Sequence, residues 1–322
     1  MNYWSFLTHT KEGPRVYADY PKNLLALVSK VSNFLEVLLF RVGRHDRAEA
    51  RLRDGTTLRI GTGWLEWRTF LNLLLMMRGG KLLDRIETSP DGEPCVVNLV
   101  NGVKFSVNST NINDTLFLIR EQFGLDCYRV KNVNFQNQIV VDVGANIGDT
   151  ALLFASKGAT VYSFEPLPSV FESYERNCTL NRDITSRLCG FNVGLSDHYG
   201  TVQFTYDRRK TVGVSLSNRA ASNGNEITET INLVNAIDFL KSRGIDRCDL
   251  LKVDCEGCEK VLFRDKKLLD YLKPQRVIIE YHFGWFKELL AVLKGQYSVV
   301  DIAPSKQHDG FGMIYASVRM QR

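Results

Sequence analysis

Residues 139–151 read Ile-Val-Val-Asp-Val-Gly-Ala-Asn-Ile-Gly-Asp-Thr-Ala. A short apolar run closes on Asp142, a glycine-punctuated turn follows from Gly144 to Gly148, and a helical segment begins. An apolar run of that length suits a parallel strand buried on both faces. Glycine at the strand-to-helix turn leaves no Cβ between backbone and ligand, and the first amides of the new helix point at the same place. The stretch predicts a small-molecule cradle at the carboxyl edge of a parallel sheet, where open α/β folds bind ligands.

From Gln138 onward strand and helix alternate. Strands are expected near 139–143, 160–165, 187–193, 249–254, 276–281, 296–302 and 312–319, with helices near 148–157, 168–181, 234–242, 258–272 and 283–294. Between 201 and 233, two strand-like stretches flank a polar loop from Arg208 to Asn225, a candidate lid. The last two strand-like runs are joined by Ala303 to Gly310, a connection short enough to favour antiparallel neighbours.

Ahead of this core the plan differs. Leu24, Leu27, Val28, Val31, Leu35, Leu38 and Leu39 fall at helical spacing and predict one amphipathic helix over 22–42. Such a helix packs on its own protein or makes a peripheral membrane or partner contact. Asp54-Gly55 and Asn101-Gly102 sit between alternating residues and signal hairpins. Helical stretches follow each hairpin, at about 65–77 and 115–123, so the unit reads as a possible duplication. The turn-rich Ser89-Pro-Asp-Gly-Glu-Pro94 marks the linker. The expected organisation is an N-terminal helical and hairpin accessory region (1–94, an α+β extension) and a second domain (95–322) whose Rossmann-like core starts at about 138.

The 322 residues are 44% hydrophobic and 24% charged, which predicts a real core. The net charge of +5 comes mostly from the first 131 residues, leaving the core half nearly neutral. That argues against a dedicated nucleic-acid binder. Seven cysteines, an odd number, with no secretory pattern at the N-terminus, predict mostly reduced thiols and a cytoplasmic protein. Residues 23–42 include Lys30 and Glu36 and make a poor spanning helix.

Three features bear on the cofactor. The turn is Gly144-x-Asn146-x-Gly148, not the G-x-G-x-x-G of dinucleotide folds. Asp142 and Asp149 flank it, and two carboxylates repel a diphosphate but suit an amino group and a sulfonium. Glu165 ends the next strand and can accept bonds from both ribose hydroxyls.

Val-Asp-Val-Gly-Ala-Asn-Ile-Gly-Asp-Thr at 141–150, Phe-Glu-Pro-Leu-Pro at 164–168, Asn177-x-x-x-Asn181 and Leu-Lys-Val-Asp-Cys-Glu-Gly-Cys-Glu at 251–259 together resemble the FkbM-type methyltransferases, over about residues 113–320. The resemblance implies a class I, Rossmann-like α/β fold with a seven-stranded, mostly parallel sheet and an antiparallel last strand. It implies S-adenosyl-L-methionine as cofactor, with contacts at Asp142, Gly144, Ala145, Asn146 and Gly148 and with Glu165 on the ribose. Asp149 reads either as a further cofactor contact or as a first-turn acid favoured by the helix dipole. The implied reaction is methylation, expected on oxygen, of a sugar, glycolipid or secondary metabolite; the implied partner is a small-molecule or glycan acceptor, with no nucleic acid.

Methyl transfer from a sulfonium needs alignment above all, and an alcohol nucleophile also needs a general base within reach. Asp254 is the leading base or substrate orienter. Glu256 and Glu280 hold substrate or position the loop. His282 is the alternative base, since histidine titrates near neutrality. Glu259 and Asn181 read as helix-start and helix-end residues. Cys255-x-x-Cys258 invites a zinc or redox reading, but a structural zinc needs four ligands and no second pair is present. The spacing of the carboxylates does not demand Mg²⁺, so no metal is expected. The competing readings are an RNA or protein methyltransferase, a non-catalytic binding module on a methyltransferase fold, and an NAD-dependent oxidoreductase. Oligomeric state is left open.

Overall fold

The structure is a computed structural model that describes residues 20–41, 45–61, 65–77, 82–108, 111–207, 226–282, 285–304 and 310–318. It divides into two compact units: Met1–Gly102 with Val107–Leu116, and Val103–Ser106 with Phe117–Arg322.

The first unit holds α1 (Tyr20–Lys30), α2 (Phe34–Arg41), β1 (Arg47–Arg51), β2 (Thr57–Gly61), α3 (Trp67–Met77), β3 (Leu83–Thr88) and β4 (Pro94–Leu99). β1 and β2 form the antiparallel hairpin expected around Asp54-Gly55, with Gly55 at φ 95°. The single helix expected over 22–42 is two helices. Ser32 and Asn33 turn away to bond the edge of β1: Ser32 N donates to Arg51 O at 2.7 Å, and Asn33 takes Arg51 N at 2.8 Å and gives to Glu49 O at 2.7 Å. Those bonds outcompete helix continuation. The expected apolar face is split as well. Leu27 and Val31 are buried, whereas Val28, Leu35 and Leu39 face solvent. Among the described residues no helix is long and apolar enough to cross a membrane.

The chain continues through β5 (Lys104–Ser106), α4 (Ile112–Ile119) and a π-helical turn at Arg120–Leu125. The core of the second unit then runs β6 (Ile139–Val143), α5 (Asp149–Ser156), β7 (Thr160–Phe164), α6 (Pro168–Leu180), α7 (Arg182–Thr185), β8 (Leu188–Phe191), β9 (Gly194–Ser196), β10 (Gly200–Asp207), β11 (Glu226–Asn235) and α8 (Ala236–Ser242). It finishes with β12 (Leu250–Val253), α9 (Glu259–Leu262), α10 (Lys267–Leu272), β13 (Arg276–Tyr281), α11 (Phe286–Lys294), β14 (Val299–Pro304) and β15 (Gly312–Ser317).

Seven strands form one sheet in the order β14-β15-β13-β12-β6-β7-β8. β15 is antiparallel to β13 and to β14, and the pairs from β13 to β8 are parallel. This is the class I arrangement expected from the sequence. The absence of alternation in the central strands has a direct cause: both faces are covered. Leu251, Val253, Val277 and Ile279 pack into one apolar cluster, while Val140, Val161, Leu250 and Ile278 pack into another with Phe135 and Phe154. The order in which strands are added reverses between β6 and β12, which opens a crevice at their carboxyl ends.

β10 and β11 are antiparallel and join β9 in a separate three-stranded sheet. The candidate lid Arg208–Asn225 lies outside the described residues. The helix expected over 258–272 is interrupted between α9 and α10, where Asp265 Oδ1 takes the amide of Lys267 at 2.9 Å in a local turn.

Candidate active site

Asp142, near the end of β6, is wholly buried, and the β6–β12 register sets it beside Lys252. The Lys252 ammonium lies 3.1 Å from Asp142 Oδ1 and 4.0 Å from Asp254 Oδ2, and donates to Gly144 O at 2.7 Å. Thr150 Oγ1 donates to Asp142 Oδ2 at 2.6 Å. Burial disfavours the ammonium, but the charges of Asp142, Asp254 and Asp149 outweigh it and hold Lys252 protonated above the usual lysine range. One buried cation thus ties the first strand, its turn and the end of the fourth core strand together.

The turn itself needs left-handed backbone: Gly144, Asn146 and Gly148 have φ of 80°, 49° and 86°. Asparagine tolerates that region better than most side chains. The Gly144 and Ala145 amides both donate to Phe164 O, at 2.9 and 3.0 Å. The expectation that Gly144 clears room for a ligand needs correcting, because a Cβ there falls 1.8 Å from Asp254 O. Glycine is required for the close approach of the β12–α9 loop. Glu165 follows β7 and is buried; its two oxygens accept the amides of Leu167 at 2.9 Å and Asn146 at 3.0 Å. Burial nevertheless pushes its carboxyl up to about 7. Asn192 Nδ2 donates to Glu165 O at 2.8 Å, linking the end of β8 to the same corner.

Asn181 is more than a helix end. Asn181 Oδ1 accepts Lys104 N at 2.9 Å, and Asn177 Oδ1 accepts Ser106 N at 2.8 Å. The four-residue spacing puts both amides on one face of α6, where they meet β5 in place of a strand. Asn177 Nδ2 also donates to Ile147 O at 2.8 Å, bracing the glycine turn.

Asp149 opens α5 with 2% exposure, and its Oδ1 has no hydrogen-bond partner among the described residues. Burial pushes its carboxyl up to about 7; Lys252 opposes this and Asp142 adds to it. A buried acid with an open oxygen, next to a second buried acid, is short of positive charge and donors. Such a pair of acids favours a cation beside it over a phosphate.

Across the crevice, Asp254 Oδ2 accepts the Tyr128 hydroxyl at 3.1 Å, and its side chain is 23% exposed. The Tyr128 ring lies against Lys252, 5.8 Å from Nζ. Glu256 sits at φ 54° with Oε2 3.3 Å from His282 Nε2. His282 is buried, and its Nδ1 lies 3.0 Å from Glu259 Oε1, which also accepts the Cys255 amide at 3.2 Å. Burial works against the charged ring, but the Glu259 hydrogen bond and the charges of Glu259 and Glu256 raise His282 to about 9. Glu259 is therefore the anchor of an imidazolium as well as a helix-start acid. Glu280, in β13, is held protonated by the charge of Asp254 and by burial. Burial also lifts Glu256 to about 7.

Sequence reading missed the central place of Lys252, whose only signal is a lone charge inside the apolar run Leu-Leu-Lys-Val. Cys95, Cys127, Cys178, Cys189 and Cys248 are free, in line with mostly reduced thiols, but Cys255 and Cys258 are bonded to one another. Among the described residues no group of three or more His, Cys, Asp or Glu is arranged to hold a metal.

Removing the buried cation should be costly. Lys252→Met leaves Asp142, Asp149 and Asp254 without it, and should cost about 3–5 kcal/mol. Urea denaturation should show a deficit that is larger at pH 8 than at pH 5, because Asp142 and Asp149, whose carboxyls burial raises, are more nearly neutral at the lower pH and need the ammonium less. A midpoint unchanged at both pH values contradicts this role.

Residues 142–301 match the methyltransferase FkbM domain. The chain is 28% identical over 189 residues to methyltransferase sdnD of Sordaria araneosa, spanning 50% of this chain and 72% of that one. It is 29% identical over 166 residues to methyltransferase 1 of Beauveria bassiana, spanning 46% and 66% respectively. It is 26% identical over 233 residues to the AMB antimetabolite synthetase AmbE of Pseudomonas aeruginosa, spanning 61% of this chain and 11% of that one. A solved structure of methyltransferase FkbM from Methylobacillus flagellatus KT aligns with a TM-score of 0.39 at 12% identity, over 65% of this chain and 55% of that one. Residues 142–301 of this chain are a methyltransferase FkbM domain.

Proposed function

We propose that this chain binds S-adenosylmethionine at the β6–α5 turn and methylates an oxygen of a small hydroxylated acceptor, a sugar, glycolipid or secondary metabolite. The observation that carries the reading is the orphaned, buried carboxylate oxygen of Asp149 beside Asp142. Asp149 would hold the cofactor's ammonium, with Asp142 behind it tied to Lys252 and Thr150. Glu165 would take the ribose hydroxyls, because each of its oxygens gives one acceptor site to a backbone amide and keeps another. Gly144, Ala145, Asn146 and Gly148 supply the backbone of the cradle. When bound, the cofactor supplies a methyl group already activated on a sulfonium.

The residues of the chain then have to orient the acceptor and take its proton. Asp254 suits both tasks: it is partly exposed, it is held by Tyr128, and it sits where β12 meets the cofactor turn. His282 is a weaker base, since an imidazolium between two carboxylates has no lone pair to offer. It positions Glu256 and Glu259, and neutral Glu280 can donate a hydrogen bond to an acceptor oxygen. A nicotinamide dinucleotide fits poorly, because its diphosphate would meet two buried acids.

The cofactor reading carries a pH signature. The Asp149 carboxyl is raised to about 7 in the folded chain, and a cationic ligand favours its ionised form. Cofactor affinity should therefore rise with pH through that value. The thermal shift given by S-adenosylhomocysteine should be larger at pH 8 than at pH 6, and Asp149→Asn should flatten the difference. Equal shifts at both pH values in the unaltered chain would contradict the assignment.

The base is tested separately. With an acceptor found by screening hydroxylated glycosides for S-adenosylhomocysteine release, Asp254→Asn should lower turnover at least about 100-fold while homocysteine-nucleoside binding persists. Turnover at the unaltered rate removes Asp254 from the mechanism. Binding without turnover on any acceptor favours a non-catalytic module.

A further inference from the structure

The loop between β12 and α9 reads Asp254-Cys255-Glu256-Gly257-Cys258-Glu259, and its two cysteines are joined with their Cα atoms 5.5 Å apart. The covalent ring encloses Glu256 and Gly257, at φ 54° and 121°. A glutamate enters the left-handed region reluctantly, because its Cβ crowds the following carbonyl oxygen. The crosslink removes much of the backbone freedom by which Glu256 would leave it. This conformation sets Glu256 Oε2 3.3 Å from His282 Nε2 and lets the Cys255 amide reach Glu259 at 3.2 Å. On its other side the ring abuts the cofactor turn: a Cβ on Gly144 would meet Asp254 O at 1.8 Å and Cys255 Cα at 3.2 Å. Sulfur chemistry at this point therefore acts on both neighbours of the acceptor space. The free thiols contrast with it; burial pushes Cys178 up to about 11 and Cys127 and Cys248 higher still, which suppresses the reactive thiolate.

We propose that Cys255 and Cys258 are a reversible dithiol–disulfide site that switches methyl transfer, with the disulfide form competent and the dithiol form impaired. The co-reactants are a low-molecular-weight disulfide in one direction and a thiol in the other. Oxidation takes two protons and two electrons from the two thiols to form one sulfur–sulfur bond, and the small disulfide accepts them and leaves as two thiols. Reduction reverses the exchange, frees Glu256 to leave the left-handed region, and loosens the loop that carries Asp254. The switch acts on methyl transfer, so its activity readout rests on the methyltransferase reading, but its chemistry does not.

The test uses the full chain, poised with glutathione disulfide or with dithiothreitol and then alkylated for mass spectrometry. Cys255 and Cys258 should resist labelling in the first state and take one label each in the second. Amide hydrogen exchange over residues 254–259 should quicken on reduction. Turnover should fall about fivefold, the order expected when a left-handed residue loses its constraint. Cys255→Ser/Cys258→Ser should sit at the reduced rate in both buffers. The proposal is overturned if the pair labels equally in both buffers, if loop exchange and turnover are the same in both, or if the double variant keeps the redox response. Labelling and exchange read the switch even where no acceptor supports turnover, so failure of the methyltransferase reading stays distinguishable.

Discussion

A single ammonium inside the sheet organises this protein's chemistry. Lys252 is 1% exposed, its nearest anion, Asp142, is 0% exposed, and its hydrogen bond goes to the carbonyl of the first turn residue. A lysine in that position is stable only with anions around it, and the anions are tolerable only with the lysine. The arrangement thus fixes three things at once: the end of β6, the strained turn after it, and the approach of Asp254 from β12. The close contact at Gly144 is the steric counterpart of the same constraint, since a Cβ there would force the two strand ends apart.

The charge balance around Lys252 also bears on what the crevice accepts. Lysine offsets Asp142 and part of Asp254, and Asp149 is left with an open oxygen. Three carboxylates around one ammonium leave the site short of positive charge. That deficit favours a ligand bearing an ammonium, and it disfavours the diphosphate that a parallel sheet with a glycine turn would otherwise suit. On the acceptor side the pairing differs. His282 is paired with Glu256 and Glu259, Glu280 is neutral, and Asp254, partly exposed, is the acid to which the proposed mechanism gives the substrate hydroxyl.

Much of this was legible in the sequence, for physical reasons that differ by element. The strands at 139–143 and 276–281 read cleanly because burial on both faces leaves continuous apolar runs at 139–141 and 277–279, and the antiparallel end followed from a short final connection. Reading failed where a tertiary bond overrode local periodicity. Asn33 abandons a helical pattern to pair with β1, and Asp265 breaks the helix expected over 258–272. Lys252, Asn177 and Asn181 were visible only as motif letters, because their partners lie on distant segments: Asp142, Ser106 and Lys104. The cysteine pair was misread for another reason. Composition predicts the average state of thiols, whereas the loop geometry brings this particular pair into bonding contact.

The account depends most on the acid-flanked turn taking a sulfonium nucleoside and not a dinucleotide. Isothermal titration of the full chain with S-adenosylhomocysteine, alongside NAD under the same conditions, tests that directly. One site for the nucleoside and no heat with NAD is the expected result. Saturable binding of NAD with no uptake of S-adenosylhomocysteine would contradict it.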